Sequence, residues 1–254
     1  MISPMQFVRR FSGRVGFAVG LGVLSLSMAL PTQAFAATTN VDAQKCGAKD
    51  VKCVITFGDQ RITERLTDLS ALDTKVQTLQ QKKHIGEDEA EALKNDVSTN
   101  KNGLNTLKSK LDAESDAQAA RQDVKNIYEQ FRIYAVVLPR DEHRLHLDVE
   151  KTLNDKLTDM KTKIETRIDK APADKKDQLN SLYNDYKAQL TAVAPLIDGA
   201  KAILPNMTPA NFNTNRSAYE GRLNTLKSDE KTIQSDLQKA ASDLKQINQA
   251  LKKK

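Results

Sequence analysis

From Asp59 to the end of the chain, apolar residues recur at steps of three and four, the spacing that places them on one face of a helix. Ile62, Leu66, Leu69, Leu72, Val76 and Leu79 predict a first helix over 59–83. His84-Ile85-Gly86 interrupts it, and Glu87, Asp88 and Glu89 open a second helix, where acidic side chains meet the positive end of the helix dipole. Leu93, Val97, Leu104, Leu107, Leu111, Ala117, Ala120, Val124, Ile127, Phe131 and Tyr134 continue one seam, predicting a helix over 87–138. Asn100 to Gly103 is its weak point, where a bend is expected, because glycine costs about 1 kcal/mol against alanine inside a helix. Pro139 is expected to end it, since proline lacks the N–H the ladder needs.

Asp141 then caps a third helix over 141–170, carrying Leu145, Val149, Leu153, Leu157, Met160, Ile164 and Ile168. A fourth over 174–204 carries Leu179, Leu182, Tyr186, Leu190, Val193 and Ile197, with Pro195 expected to kink it. Thr208-Pro209, a capping hydroxyl followed by proline at the first helical position, starts a fifth over 209–251. Its heptad slots run from Phe212 to Leu251, and ten of the twelve are apolar, Arg216 and Glu230 being the exceptions. Such a run is a coiled-coil signature. The short connections at 84–86, 139–140, 171–173 and 205–208 predict that these helices fold back on each other. The expected fold is all-α: an elongated antiparallel bundle of about five long helices behind a short irregular head at 37–58. Four helices are expected at one end of it. Helix one, early helix two and late helix five are expected at the other. The short connections favour a monomer over a homo-oligomer.

Residues 1–36 stand apart. Arg9, Arg10 and Arg14 precede an uncharged, mostly apolar run from Val15 to Leu30, then Pro31 and Ala34-Phe35-Ala36. That order is a secretory signal peptide with an A-x-A-type cleavage site. An uncleaved anchor is the rival, but the run is short against the roughly 20 residues a spanning helix needs. Its removal takes three arginines and no acidic residue from the 39 basic and 33 acidic groups, so a formal charge of +6 becomes about +3. A nearly balanced surface, without aromatics interleaved among the cations, gives no nucleic-acid signal. Composition further excludes a collagen-like chain and a multi-span membrane protein. The partner expected is therefore a protein or another component of the cell envelope, with membrane contact confined to the signal.

Cys46 and Cys53 are the two cysteines, and an even count in an exported chain predicts a disulfide. Their spacing matches neither a C-x-x-C redox pair nor a zinc knuckle. His143 and His146, at i and i+3, are the residues to try first for a metal, but a third ligand is missing and none is expected. The residues around them read as a solvated face at a helix start. Ile133 to Leu138 reads as a packed corner of the bundle rather than a docking patch. Lys252, Lys253 and Lys254 offer a contact for a polyanion. There is no glycine-rich phosphate loop and no G-x-S-x-G, so neither an enzyme nor a cofactor is expected.

The run Arg132-Ile133-Tyr134-Ala135-Val136-Val137-Leu138-Pro139 and the heptad stretch Leu237 to Ile247, together with the signal peptide, resemble secreted coiled-coil proteins of small-genome candidate-phylum bacteria. That resemblance implies export and a helical fold, and no activity. The reading is an exported, non-enzymatic structural, adaptor or adhesion element of the cell envelope. The alternative is an extracytoplasmic client- or ligand-binding bundle, of holdase or carrier type.

Overall fold

A computed structural model describes residues 46–252. The signal peptide, residues 37–45 of the head, Lys253 and Lys254 lie outside the described residues. Among the described residues the chain is all-α, with no strand. Its helices are α1 (Val51–Gln81), α2 (Glu87–Asp112), α3 (Ala117–Glu129), α4 (Leu138–Thr158), α5 (Lys161–Asp169), α6 (Ala173–Ile203), α7 (Pro209–Thr214) and α8 (Arg216–Lys252). A π-turn, Ile133–Val137, joins α3 to α4, and a 3-10 turn, Leu204–Asn206, follows α6.

Four expected spans differ, and three of them have a local cause in a capping side chain. The head is shorter than 37–58: Asp50 accepts from the Cys53 N–H at 2.9 Å and starts α1 eight residues before Asp59. The helix expected over 87–138 is three elements. Asp116, in extended backbone, caps α3 by accepting from Ala119 N–H at 2.8 Å, so the chain reverses at 113–116. The apolar seam from Leu111 to Ala117 and Ala120 masked that break, because both sides of the turn face the same core. The helix expected over 209–251 divides at Asn215, whose backbone is extended and whose side chain accepts from Ala218 N–H at 3.0 Å. The third helix expected, 141–170, pauses at Asp159–Met160.

Asn102 and Gly103 do not break α2. Gly103 gives the Phe131 ring its place: a Cβ there would lie 2.5 Å from the ring edge. Gly58 does the same for α1, where a Cβ would collide with Leu111 and Val124. Pro195 sits exposed within α6, which continues through it.

Pro139 does not turn the chain. It occupies the first turn of α4, which continues the path of α3. The proline has no N–H for the Ala135 carbonyl, four residues back, and that carbonyl accepts from the Tyr219 hydroxyl at 3.3 Å instead. The wider π-turn makes room for the ring, with Val137 N–H reaching the Arg132 carbonyl at 3.2 Å. Arg132 itself takes the left-handed conformation, φ 47°.

Cross-helix pairs fix the directions. Asp68 meets Tyr134 and Lys75 meets Glu142, so α1 and α4 run in the same sense. Glu89 meets Arg144 and Asp96 meets Arg140, so α2 opposes α4. Ala135 meets Tyr219 and His143 meets Glu230, so α8 runs with α4. Helix α6 returns between them and packs along α8. The late part of α8 lies beside α5, with Arg167 on Asn248 at 2.6 Å, and not beside α1 and α2 as expected.

Two apolar clusters result. One joins α1, α2 and α3 through Ile62, Leu69, Leu93, Leu104, Leu111 and Ile127. The other joins α4, α5, α6 and α8 through Leu157, Tyr186, Leu190, Leu226, Ile233 and Leu244. They meet at the π-turn, which sends Ile133 and Val137 into the first and Val136 into the second. No helix among the described residues is long and apolar enough to cross a membrane.

Candidate functional site

Helix α4 contacts α1, α2, α6 and α8, so its polar residues as well as its apolar ones are covered. Asp141, His143, Asp148, Glu150 and Asn154 are all buried. The solvated face expected here is absent, because neighbours occupy every side of the helix start. Asp141 is no cap. It is fully buried in the first turn and accepts from Arg140 Nε at 2.8 Å. Burial raises its carboxyl to about 6, against the pull of Arg140.

His143 faces α8. Its Nδ1 lies 2.8 Å from both carboxylate oxygens of Glu230. Glu230 is one of the two polar slots in the heptad run, so the exception in the α8 seam has its mate in α4. A polar pair at such a slot fixes register, since any slip leaves both groups buried without a partner. Two turns along, Glu150 is also buried, and burial followed by the nearby Glu230 raises its carboxyl to about 8. His146 is turned elsewhere. Burial, then Lys75 and His143, hold its imidazole neutral down to about 4, and its Nε2 has no hydrogen-bond partner. The two histidines therefore serve different neighbours. Among the described residues no group of three His, Cys, Asp or Glu side chains is placed to hold a metal.

On the side of α4 facing α2 and the end of α6, a cleft of about 360 Å³ opens. Arg140 and Arg144 come from α4, Lys201 from α6, and Glu89 and Asp96 from α2, with Leu204 and Pro205 as its apolar wall. The signs are interleaved. Arg140 pairs with Asp96 and Asp141, Arg144 with Glu89, and Lys201 with Asp148 at 2.8 Å. Asp148 also accepts from the Gly86 N–H at 2.7 Å, tying the α1–α2 turn to α4.

The head is built separately. Cys46 and Cys53 form a disulfide across the start of α1, with Cα atoms 5.6 Å apart. Cys46 is buried, and Arg121 of α3 donates to the Cys46 and Gly47 carbonyls at 2.9 and 3.0 Å. Lys252 is exposed at the end of α8. Ile133, Val136 and Val137 are buried, so the apolar run forms packing rather than a free patch.

No protein-family model matches the chain, and no curated protein or solved structure matches it. The cleft residues went unread in the sequence because Arg140, Arg144 and Lys201 look like ordinary charged helix faces. Glu230 alone carried a legible signal: an acid in an apolar heptad slot calls for a buried partner.

Proposed function

We propose that the chain is an exported helical scaffold of the cell envelope, meeting a protein or envelope component through its surface. The supporting observation is the Cys46–Cys53 disulfide, half sunk in the first core and clasped to α3 by Arg121. Such a bond persists in an oxidising compartment, to which the basic–apolar–A-x-A start of the sequence would send it. The long α6–α8 pair, apolar where the helices meet and charged outside, suits a stiff element that presents a surface.

The test is fractionation of expressing cells, with intact-mass measurement of the recovered chain. The expected product begins at Ala37, lies outside the cytoplasm, and gains two hydrogens on reduction. A chain retained in the cytoplasm with both thiols free defeats the proposal. In the same preparation, light scattering is expected to give a monomer mass.

A second reading, a ligand-binding bundle, is favoured by one observation: the cleft at the junction of α2, α4 and α6. Its charged wall fits a small polar ligand better than an apolar client.

A further inference from the structure

We infer that the cleft between α2, α4 and the end of α6 is a binding site for a small zwitterionic carboxylate of the amino-acid type. This rests on the second reading above and gives it a ligand class. At about 360 Å³ the cleft lies at the small end of ligand pockets, which run from about 300 to 1,000 Å³. A polymer or a folded partner does not enter such a space.

The chemistry of the wall narrows the class. Arg144 meets Glu89 through Nε and lines the cleft with its guanidinium. Arg140 spends Nε on Asp141 and one terminal nitrogen on Asp96. A guanidinium offers paired N–H groups in a plane, the geometry a carboxylate accepts in bidentate fashion. Lys201 adds a third cation from another helix. Glu89 and Asp96 face the same space, and Asp141 and Asp148 pair with Arg140 and Lys201 beside it, so the three cations are matched by carboxylates and the wall carries no positive excess. That balance disfavours a dianion such as phosphate and supplies a counter-charge for an ammonium group. Leu204 and Pro205 leave an apolar surface for a short side chain. The ion pairs hold the cations in place before binding: the Arg140 side chain is 14% exposed and those of Arg144 and Lys201 are 26% exposed. Pre-ordered donors lower the entropy cost of capture.

The experiment is a titration of the full chain, followed by NMR shifts and calorimetry, with alanine, leucine, alaninamide, acetate and inorganic phosphate as separate probes. Saturable binding of alanine or leucine, with alaninamide and phosphate at least about tenfold weaker, is the expected result, because the carboxylate pairing with Arg144 is the strong contact. Arg144→Gln is expected to weaken it about tenfold or more, while Lys252→Gln, remote on α8, leaves it unchanged. Should Arg144→Gln fail to fold, Asp96→Asn serves: it weakens alanine relative to acetate, because it removes the counter-charge for the ammonium group while freeing an Arg140 donor for the carboxylate. The assignment is overturned by no saturable binding of any amino acid, by phosphate binding more tightly, or by amino-acid binding that both variants leave intact. An apolar dye bound by the folded chain without amino-acid binding also removes this assignment, while leaving the broader ligand-binding reading in place.

Discussion

The two apolar clusters solve the same problem by different means. Antiparallel helices slide easily along apolar seams, so each cluster needs something to set its register. In α1–α3 the device is steric and covalent. Gly58 admits Leu111 and Val124, Gly103 admits the Phe131 ring, and the disulfide fastens the first turn of α1. Arg65, 4% exposed, is gripped between the Tyr128 and Tyr134 rings at 4.7 and 4.8 Å, tying α1 to α3 and to the π-turn after it. In α4–α8 the device is polar matching. His143 finds Glu230, Tyr219 finds the carbonyl that Pro139 leaves open, and the buried Tyr186 hydroxyl donates to the Leu157 carbonyl. Close fit tolerates pH and fails on added volume. Polar matching tolerates volume and fails on lost partners.

That contrast is broken most directly at Glu230. Glu230→Ala leaves the His143 Nδ1 buried without a partner and is expected to cost about 3 kcal/mol, read by urea denaturation. The double change to leucine at both positions is expected to restore most of that stability, with a less uniquely set α8 seen as broadened NMR lines. A single variant with unchanged stability removes the polar-register account.

Glu150 gives the second test, through pH. Its carboxyl is raised to about 8 in the fold from an ordinary value of 4.5. Between those values the unfolded chain loses the proton and the folded chain keeps it, so stability falls as pH rises through that window. His146, lowered from 6.5 to about 4, acts in the opposite sense and only below 6.5. Asp141, raised to about 6, acts below that pH. From pH 6.5 to 8 the decline therefore belongs to Glu150 among these three. Glu150→Gln is expected to raise the melting temperature at pH 8 and flatten that stretch of the profile. A profile unchanged from wild type contradicts the assignment.

The first cluster is probed by its own devices. Replacing both cysteines by serine is expected to cost about 2–3 kcal/mol on the loop-entropy account. The loss of amide protection should concentrate in the first turns of α1 and in α3, and protection lost equally in α6 and α8 would tie the staple to both clusters. Smallest is Gly58→Ala, where a methyl meets two buried side chains and overpacking costs about 1–3 kcal/mol. Calorimetry reads that loss, and a neutral result shows that Leu111 and Val124 have room to give way.

How much of this was legible follows from what each residue signals locally. Period-of-three-and-four seams announced the helices, and Thr208-Pro209 announced its cap. The reversal at 113–116 was hidden because Asp116 caps a helix whose seam repeats the one before it. Pro139 misled in the other direction. Proline ordinarily ends a helix, but here Tyr219, distant in sequence, answers the open carbonyl. The cleft was illegible because ion pairs across three helices leave no periodic trace. Glu230 was visible as an anomaly, while its partner was not.

The π-turn also makes the chain intolerant of length changes at one point. Across it Ile133 and Val137 serve one core and Val136 the other. Deleting one residue there while the winding stays as it is would swing everything downstream by about 100°. His143 would leave Glu230, and Arg140 would leave Asp96. Among descendants of this sequence, insertions and deletions should therefore collect in the turns at 82–86 and 170–172, while the count of residues between Arg132 and Pro139 stays fixed even where their identities drift.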